Sequence, residues 1–304
     1  MQVIAYLVLN NMSTSLSLPK DCLQRFILKD LHVRGQWIHL DRAYTAIQSI
    51  HPYPITIRML IGEALAASAL ISSTLKYEGR TTLQIEGPGA IKLLLAQCNH
   101  LFQLRGLAKW DEDIDLASTT PLFSKAQCLI SITQATSQET YNGIVPLEYD
   151  NLALCLESYF QQSEQLPTKF YFASTHEHIV GLMLQSLPDD AMTEDMWQHV
   201  TCLADTLTQP ELLSVPPMAL MHRLFHGEDM QWFVESPVEF KCSCSKEKSE
   251  QAVITFGEEE VMDVFNTTAT LVVNCEFCNQ SYAFDKIDAY RIFHPLPDSS
   301  QSSH

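Results

Sequence analysis

Val238-Glu239-Phe240-Lys241-Cys242-Ser243-Cys244-Ser245 and, after a spacer of 30 residues, Cys275-Glu276-Phe277-Cys278 decide how this chain is read. A C-x-C and a C-x-x-C each place two thiolates on one side of a tight backbone turn. Together they supply four sulfurs, a complete tetrahedral shell for Zn²⁺, an ion with no geometric preference of its own. A shell filled by four sulfurs leaves no position for water or substrate, so it is not a hydrolytic centre. It is either a structural staple or, because sulfur can be oxidised, a switch.

The other five cysteines, Cys22, Cys98, Cys128, Cys155 and Cys202, stand singly, several in apolar company such as Leu154-Cys155-Leu156. Nine cysteines with five unpaired argue against a secreted disulfide framework. The five read as small buried hydrophobes, and the chain as a protein of a reducing compartment, the cytoplasm. A net charge of −17 and a pI of about 4.9 would repel a phosphate backbone. That counts against the nucleic-acid-binding ribbon, the commonest use of a four-cysteine module. The longest apolar stretch, Ile55 to Leu75, carries Arg58, Glu63 and several serines and reads as a buried helix, not a membrane span. Met1 to Leu9 is apolar but lacks a basic start and a small-residue cleavage site, which argues against a signal peptide. Met12 opens the polar stretch Met12-Ser13-Thr14-Ser15 and is an alternative start.

At 304 residues the chain has room for more than one domain. Asp21 is a candidate N-cap for a helix over Cys22 to Asp30, with Leu23, Phe26, Ile27 and Leu31 at helical spacing. Val33 to Leu40 alternates around Gly35 and predicts a strand. Asp41 to Ile50 and Ile55 to Leu75 read as helices, and Thr81 to Glu86, Leu101 to Trp110, Leu129 to Ile132 and Tyr141 to Leu147 as strands. Gly87-Pro88-Gly89 lacks the Gly-Lys-Ser/Thr ending of a phosphate loop and reads as a turn. Asn151 to Ser163 is amphipathic and stops at Leu166-Pro167.

From about Leu182 to Met230 the character changes. Six of the ten methionines lie here, and Pro210 and Pro216-Pro217 break the helical pattern. Thr193 caps a run with Met196, Trp197, Val200, Leu203 and Leu207 on one stripe. Short, proline-broken, Met-rich helices are adaptable and low in stability, so the segment is either a packed helical subdomain or one able to come loose. His222 and His226 lie on one helix face, but the cysteines already complete a closed site. His176 and His178 read as solvent-facing.

The last sixty or so residues are too few for an ample core, so their fold leans on the metal, which contributes roughly 10–16 kcal/mol in such modules. Lys241, Lys246 and Lys248 crowd the first pair and would ease the charge of four thiolates. A thioredoxin-type C-x-x-C needs a strand-to-helix setting in a βαβ unit, which is not the pattern here. No nucleophile elbow, Walker loop or paired-His motif is present, so no enzyme activity is expected.

The cysteine pattern, with Val33-Arg34-Gly35, Leu104-Arg105-Gly106, Tyr141-Asn142-Gly143-Ile144-Val145 and Ser163-Glu164-Gln165-Leu166-Pro167-Thr168, resembles the redox-regulated thirty-three-kilodalton heat-shock chaperone family over about Asp21 to Phe293. The resemblance implies an α+β protein. It has an α/β core with mixed sheets and a long buried helix over 21–178 and a Met-rich helical linker over 179–234. A small Cys₄ zinc domain over 235–293 follows, between an N-terminal extension (1–20) and a polar tail (294–304). It further implies an ATP-independent holdase for unfolding proteins. Cys242, Cys244, Cys275 and Cys278 would hold one Zn²⁺ when reduced and form the disulfides Cys242–Cys244 and Cys275–Cys278 when oxidised. Zinc loss would then release the linker stripe, often in a homodimer. A static zinc-stapled adaptor or transcription-linked protein, and a thiol oxidoreductase, are the alternatives.

Overall fold

The computed structural model of the chain describes residues 18–76, 78–113, 122–137, 139–188 and 191–295. Residues 1–17, with the alternative start at Met12, and 296–304 of the polar tail lie outside them. Two compact units divide the chain, Met1–Phe240 and Lys241–His304.

The first unit opens with β1 (Cys22–Leu28), β2 (Val33–Leu40), α1 (Arg42–Gln48) and α2 (Ile55–Ser72). Then come β3 (Gly79–Glu86), β4 (Ile91–Asn99), β5 (Gln103–Trp110), β6 (Gln127–Gln134) and β7 (Thr140–Pro146), followed by α3 (Leu152–Tyr159), β8 (Thr168–Ser174) and β9 (Ile179–Ser186). Two six-stranded sheets result. One runs β10-β1-β2-β9-β8, where β10 is Met230–Trp232, and β11 (Ser236–Pro237) also pairs with β1. The other runs β12-β5-β4-β3-β6-β7, where β12 is Glu239–Phe240 and pairs with β5 in parallel. Helix α2, buried along most of its length, packs against strands of both sheets and centres the main core.

The helix expected over Cys22 to Asp30 is strand β1. The strand is covered on both sides: Leu23 joins the core around α2, while Cys22, Phe26 and Leu28 join a second cluster on the opposite face. Burial of both faces erases the period-two alternation that would have marked a strand. Asp21 does cap a helix, but a distant one. Its carboxylate accepts from the backbone N–H of Asp41, Arg42 and Ala43 at 2.9–3.0 Å, the free donors at the start of α1.

Ile179–Ser186, placed by sequence at the head of the linker, is a fully buried strand between β2 and β8. The helical segment starts later, at α4 (Glu194–Ala204), then α5 (Gln209–Ser214) and α6 (Pro217–Leu224). Residues 230–240 likewise supply β10, β11 and β12 to the first unit's sheets. The helix starts were legible. Thr193 accepts from the Met196 N–H at 3.3 Å, and Thr208 and Glu211 form a reciprocal capping box. Pro210 and Pro217 sit in the first turns of α5 and α6, where no N–H is needed.

The stripe of α4 packs inward. Val200 is fully buried, with Met196, Trp197, Leu203 and Leu207 packed on the same cluster as Phe26, Trp37, Leu182 and Leu184 of the first sheet. Cys202 faces away and is exposed, contrary to expectation, because it falls between stripe positions; Cys22, Cys98, Cys128 and Cys155 are buried. His178 also departs from expectation: it is half-buried, edge-on to the buried His39 at 5.2 Å.

Two motif glycines have a packing reason. A Cβ on Gly35 would lie 2.0 Å from the Phe26 ring, and one on Gly143 would lie 2.3 Å from Tyr159. No side chain fits at either position.

Candidate metal centre

The second unit holds α7 (Lys246–Phe256), α8 (Glu258–Val264), β13 (Leu271–Asn274), β14 (Ser281–Phe284) and α9 (Lys286–Phe293). Strands β13 and β14 form an antiparallel hairpin whose turn is the C-x-x-C segment. The Cys275 N–H donates to the Gln280 carbonyl at 2.9 Å, and the Asn279 N–H donates to the Cys275 carbonyl at 2.7 Å. Asn279 closes the turn at φ +58, a left-handed conformation that asparagine tolerates better than most residues. The C-x-C segment leads into α7, whose N-cap Ser245 accepts from the Lys248 N–H at 3.3 Å. Strand β14 and α9 were not read from sequence, although Asp285 and Asp288 form a capping box whose spacing was visible there.

All four sulfurs converge. The Sγ atoms of Cys242, Cys244, Cys275 and Cys278 lie within 4.8 Å of one another, and they form the one cluster of three or more such ligand groups among the described residues. Cys242 approaches Cys275 to 3.6 Å and Cys244 approaches Cys278 to 3.4 Å. A tetrahedron with metal–sulfur bonds of about 2.3 Å has sulfur–sulfur edges of about 3.8 Å, so the set fits a thiolate-bound zinc.

Electrostatics point the same way. Desolvation raises the Cys244 thiol, but hydrogen bonds from Tyr282 and the other sulfurs outweigh it and bring it down to about 7. At Cys275 and Cys278 desolvation leads, the Cys242 sulfur adds to it at each, and both thiols are pushed up. Four crowded sulfurs cannot all be anionic without a cation among them.

The surroundings hold donors that spacing did not reveal. The Tyr282 hydroxyl donates to Cys244 Sγ at 3.2 Å, and the amides of Phe277 and Gln280 donate to Cys275 and Cys278. Lys246 lies over the Phe284 ring at 5.5 Å, and Lys248 donates to the Ser243 carbonyl. The fully buried apolar core among the described residues is small, Val253, Val261, Phe284 and Ala289, with partly buried side chains such as Phe265, Leu271 and Phe293 packed against it. In the first unit His222 and His226 are exposed, with ring centroids 5.5 Å apart, and join no such cluster.

The profile of the Hsp33 protein family matches residues 21–285. The chain belongs to the Hsp33 family. A 33 kDa chaperonin from Nitrosococcus oceani is 37% identical over 274 residues, 90% of this chain and 94% of the relative. One from Pseudomonas aeruginosa is 39% identical over 281 residues, again 90% and 94%. The crystal structure of a 33 kDa chaperonin from Thermotoga maritima superposes with a TM-score of 0.78 at 20% identity, covering 90% of this chain and 98% of that one. That likeness extends the α+β Hsp33 fold to this chain, with its cysteine cluster near the C-terminus.

Proposed function

We propose that this Hsp33 family member is a redox-regulated, ATP-independent holdase that binds unfolding proteins under oxidative stress and is not an enzyme. The observation that carries the proposal is the convergence of four thiols in a unit with four buried apolar side chains described in its core. A core so small needs a cross-link to hold it, and among the described residues the sulfur shell supplies one. Cys242, Cys244, Cys275 and Cys278 would hold one zinc per chain. When bound, the ion keeps the sulfurs as thiolates near neutral pH and ties the two turns together.

Thiolate is the form that attacks peroxide. In each pair one sulfur attacks a peroxide oxygen, the O–O bond breaks and hydroxide departs with the electron pair. The resulting sulfenic acid condenses with the neighbouring thiol and releases water. Each pair of thiols thus gives two electrons to one peroxide as it becomes a disulfide, and Cys242–Cys244 and Cys275–Cys278 are the proposed pairs. Every disulfide removes two anionic ligands, so the shell no longer holds a dication and the second unit loses its cross-link.

The proposal extends to the Met-rich segment. Release of α4, α5 and α6 would uncover the apolar face of the first sheet as well as the stripe of Met196, Trp197, Val200, Leu203 and Leu207. Such surfaces suit unfolded client chains and a homodimer of the oxidised form. A net charge of −17 disfavours nucleic acid. Helix α2 has the length and composition of a membrane span, but 72% of it is buried within the protein, as in the core helix of a soluble protein, and the reducing cytoplasm is the compartment we propose for it.

A light-scattering assay on a thermally unfolding client, with and without prior peroxide, tests the reading. Suppression of aggregation after oxidation alone supports it. Equal suppression in both states would favour a static zinc-stapled protein.

A further inference from the structure

Helix α2 carries one acid in its otherwise apolar central stretch. Glu63 stands between the buried Gly62 and Ala64 and lines a cavity of about 260 Å³. Phe170, Tyr171 and Phe172 of β8 form one wall, and residues 207–212, which lead into α5, form another. Phe170 and Leu212 are buried, whereas Asn151, Thr208 and Gln209 are exposed and mark the rim. Among the described residues no hydrogen bond or ion pair reaches the Glu63 carboxylate, and no lysine or arginine lines the cavity. The neighbouring polar groups are already engaged. Asn151 Oδ1 accepts from the Leu154 N–H at 3.1 Å, the Thr208 hydroxyl donates to Glu211 at 2.7 Å, and the Tyr171 hydroxyl donates to Asp205 at 2.7 Å. Glu63 is thus a desolvated acid without a partner, in a space that could hold one.

We infer that this cavity binds a small organic cation, an alkylammonium or alkylguanidinium, whose charged head pairs with Glu63 while its stem lies along the β8 rings. The lining selects that class. A lone carboxylate repels anions, and a hard metal ion needs about six oxygens, whereas the described residues gather no cluster of three ligand groups here. Aromatic faces attract a desolvated cation, and their edges and Leu212 accept an alkyl stem. The volume falls just below that of drug-sized sites, about 300–1,000 Å³, so the ligand is small. The cavity lies between α2 and β8 on one side and the start of α5 on the other, so a seated ligand ties the Met-rich segment to the core. A ligand that binds only while α5 is docked lowers its opening about elevenfold at ten times the Kd. Binding itself needs neither zinc release nor peroxide and stands apart from the redox reading.

The test titrates n-butylammonium chloride into the full-length, reduced, ¹⁵N-labelled protein and follows amide shifts by NMR. The pH is 8, above the value of about 7 to which burial pushes the Glu63 carboxyl. Butyrate and 1-butanol serve as the anionic and neutral probes of similar size. The expected result is saturable binding of the ammonium alone, with shifts at 170–172 and 207–212 and hydrogen exchange over 209–214 slowed about tenfold near saturation. Glu63→Gln keeps the shape and removes the charge, and should weaken binding about thirtyfold or more. Ala153→Leu keeps the charge and fills the space, and should also abolish binding, so the result does not hang on one variant. Glu177→Gln, at an exposed acid of the same unit, should bind as wild type does. No saturable binding of the ammonium to the wild type overturns the inference. Equal affinity in Glu63→Gln, or equal binding of 1-butanol, overturns it as well, since the cavity would then be an apolar cleft without a charge-reading role. Binding that leaves exchange over 209–214 unchanged overturns the tie to α5.

Discussion

Val200 is the position at which the attachment of the Met-rich segment is most exposed to test. It is fully buried, in the cluster that joins α4 to Phe26, Trp37, Leu182 and Leu184 of the first sheet. Val200→Asp overfills nothing, since aspartate is the smaller residue, and places a carboxylate there. Removing the valine forfeits about 1.5–3 kcal/mol of apolar burial. The charge adds a cost capped by the alternative of protonating the acid, about 4 kcal/mol at pH 7 for an ordinary aspartate. With some relaxation the docked state loses about 3–6 kcal/mol, which raises the opening equilibrium by about two to four orders of magnitude. The buried acid has a raised pKa when docked. Its penalty is therefore absent below the ordinary aspartate value and grows as pH rises. Hydrogen exchange at pH 7.5 should show residues 194–225 losing protection while α2 keeps it, with one zinc still bound. Client light scattering should show suppression without peroxide. Continued protection over 194–225 would refute the packing argument. Lost protection without suppression would refute the idea that uncovering this surface is what captures clients.

Glu63, on α2, lines a cavity of about 260 Å³ with Phe170, Tyr171, Leu207, Thr208 and Leu212, and burial pushes its carboxyl up to about 7. A raised carboxyl pKa means stability that is complete below about 4.5 and lost as pH rises to about 7, at most about 3 kcal/mol. Relative to Glu63→Gln, the wild-type melting temperature should fall across that window; parallel curves would dismiss the effect. Cys275→Ser leaves three sulfurs, so zinc content should fall well below one per chain and exchange should rise over 246–293, and an unaltered zinc content would sink the ligand assignment. Peroxide with mild heating should yield Cys242–Cys244 and Cys275–Cys278 by peptide mapping, and a dominant bridge from Cys202 to any of the four would contradict the pairing. Burial pushes the thiols of Cys22, Cys98 and Cys128 up to about 12, so brief alkylation of the reduced native protein at pH 7.5 should label the exposed Cys202 and spare those three.

Features carried by a few neighbouring residues were legible in the chain itself. The two cysteine pairs needed only their own turns, and the spacing of Cys242, Cys244, Cys275 and Cys278 foretold one cluster. The apolar length of α2, the cap at Thr193 and the amphipathic run from Asn151 marked helices because helix starts and faces are local patterns. Tertiary structure decided whatever depends on what lies across the fold. Strand β1 carries residues at helical spacing and is a strand because β2, β10 and β11 pair with its edges and apolar clusters cover its faces. Asp21 caps α1, twenty residues on, because the chain folds back to bring its carboxylate to those amides. Cys202 is exposed and Val200 buried because α4 docks on the face that carries its stripe, and residue type alone did not place Cys202 on the other side. The bond from Tyr282 to Cys244 spans 38 residues. No local pattern encodes it, because the distance between those two atoms is set by how the β13–β14 hairpin and the α7 N-terminus pack around one small core.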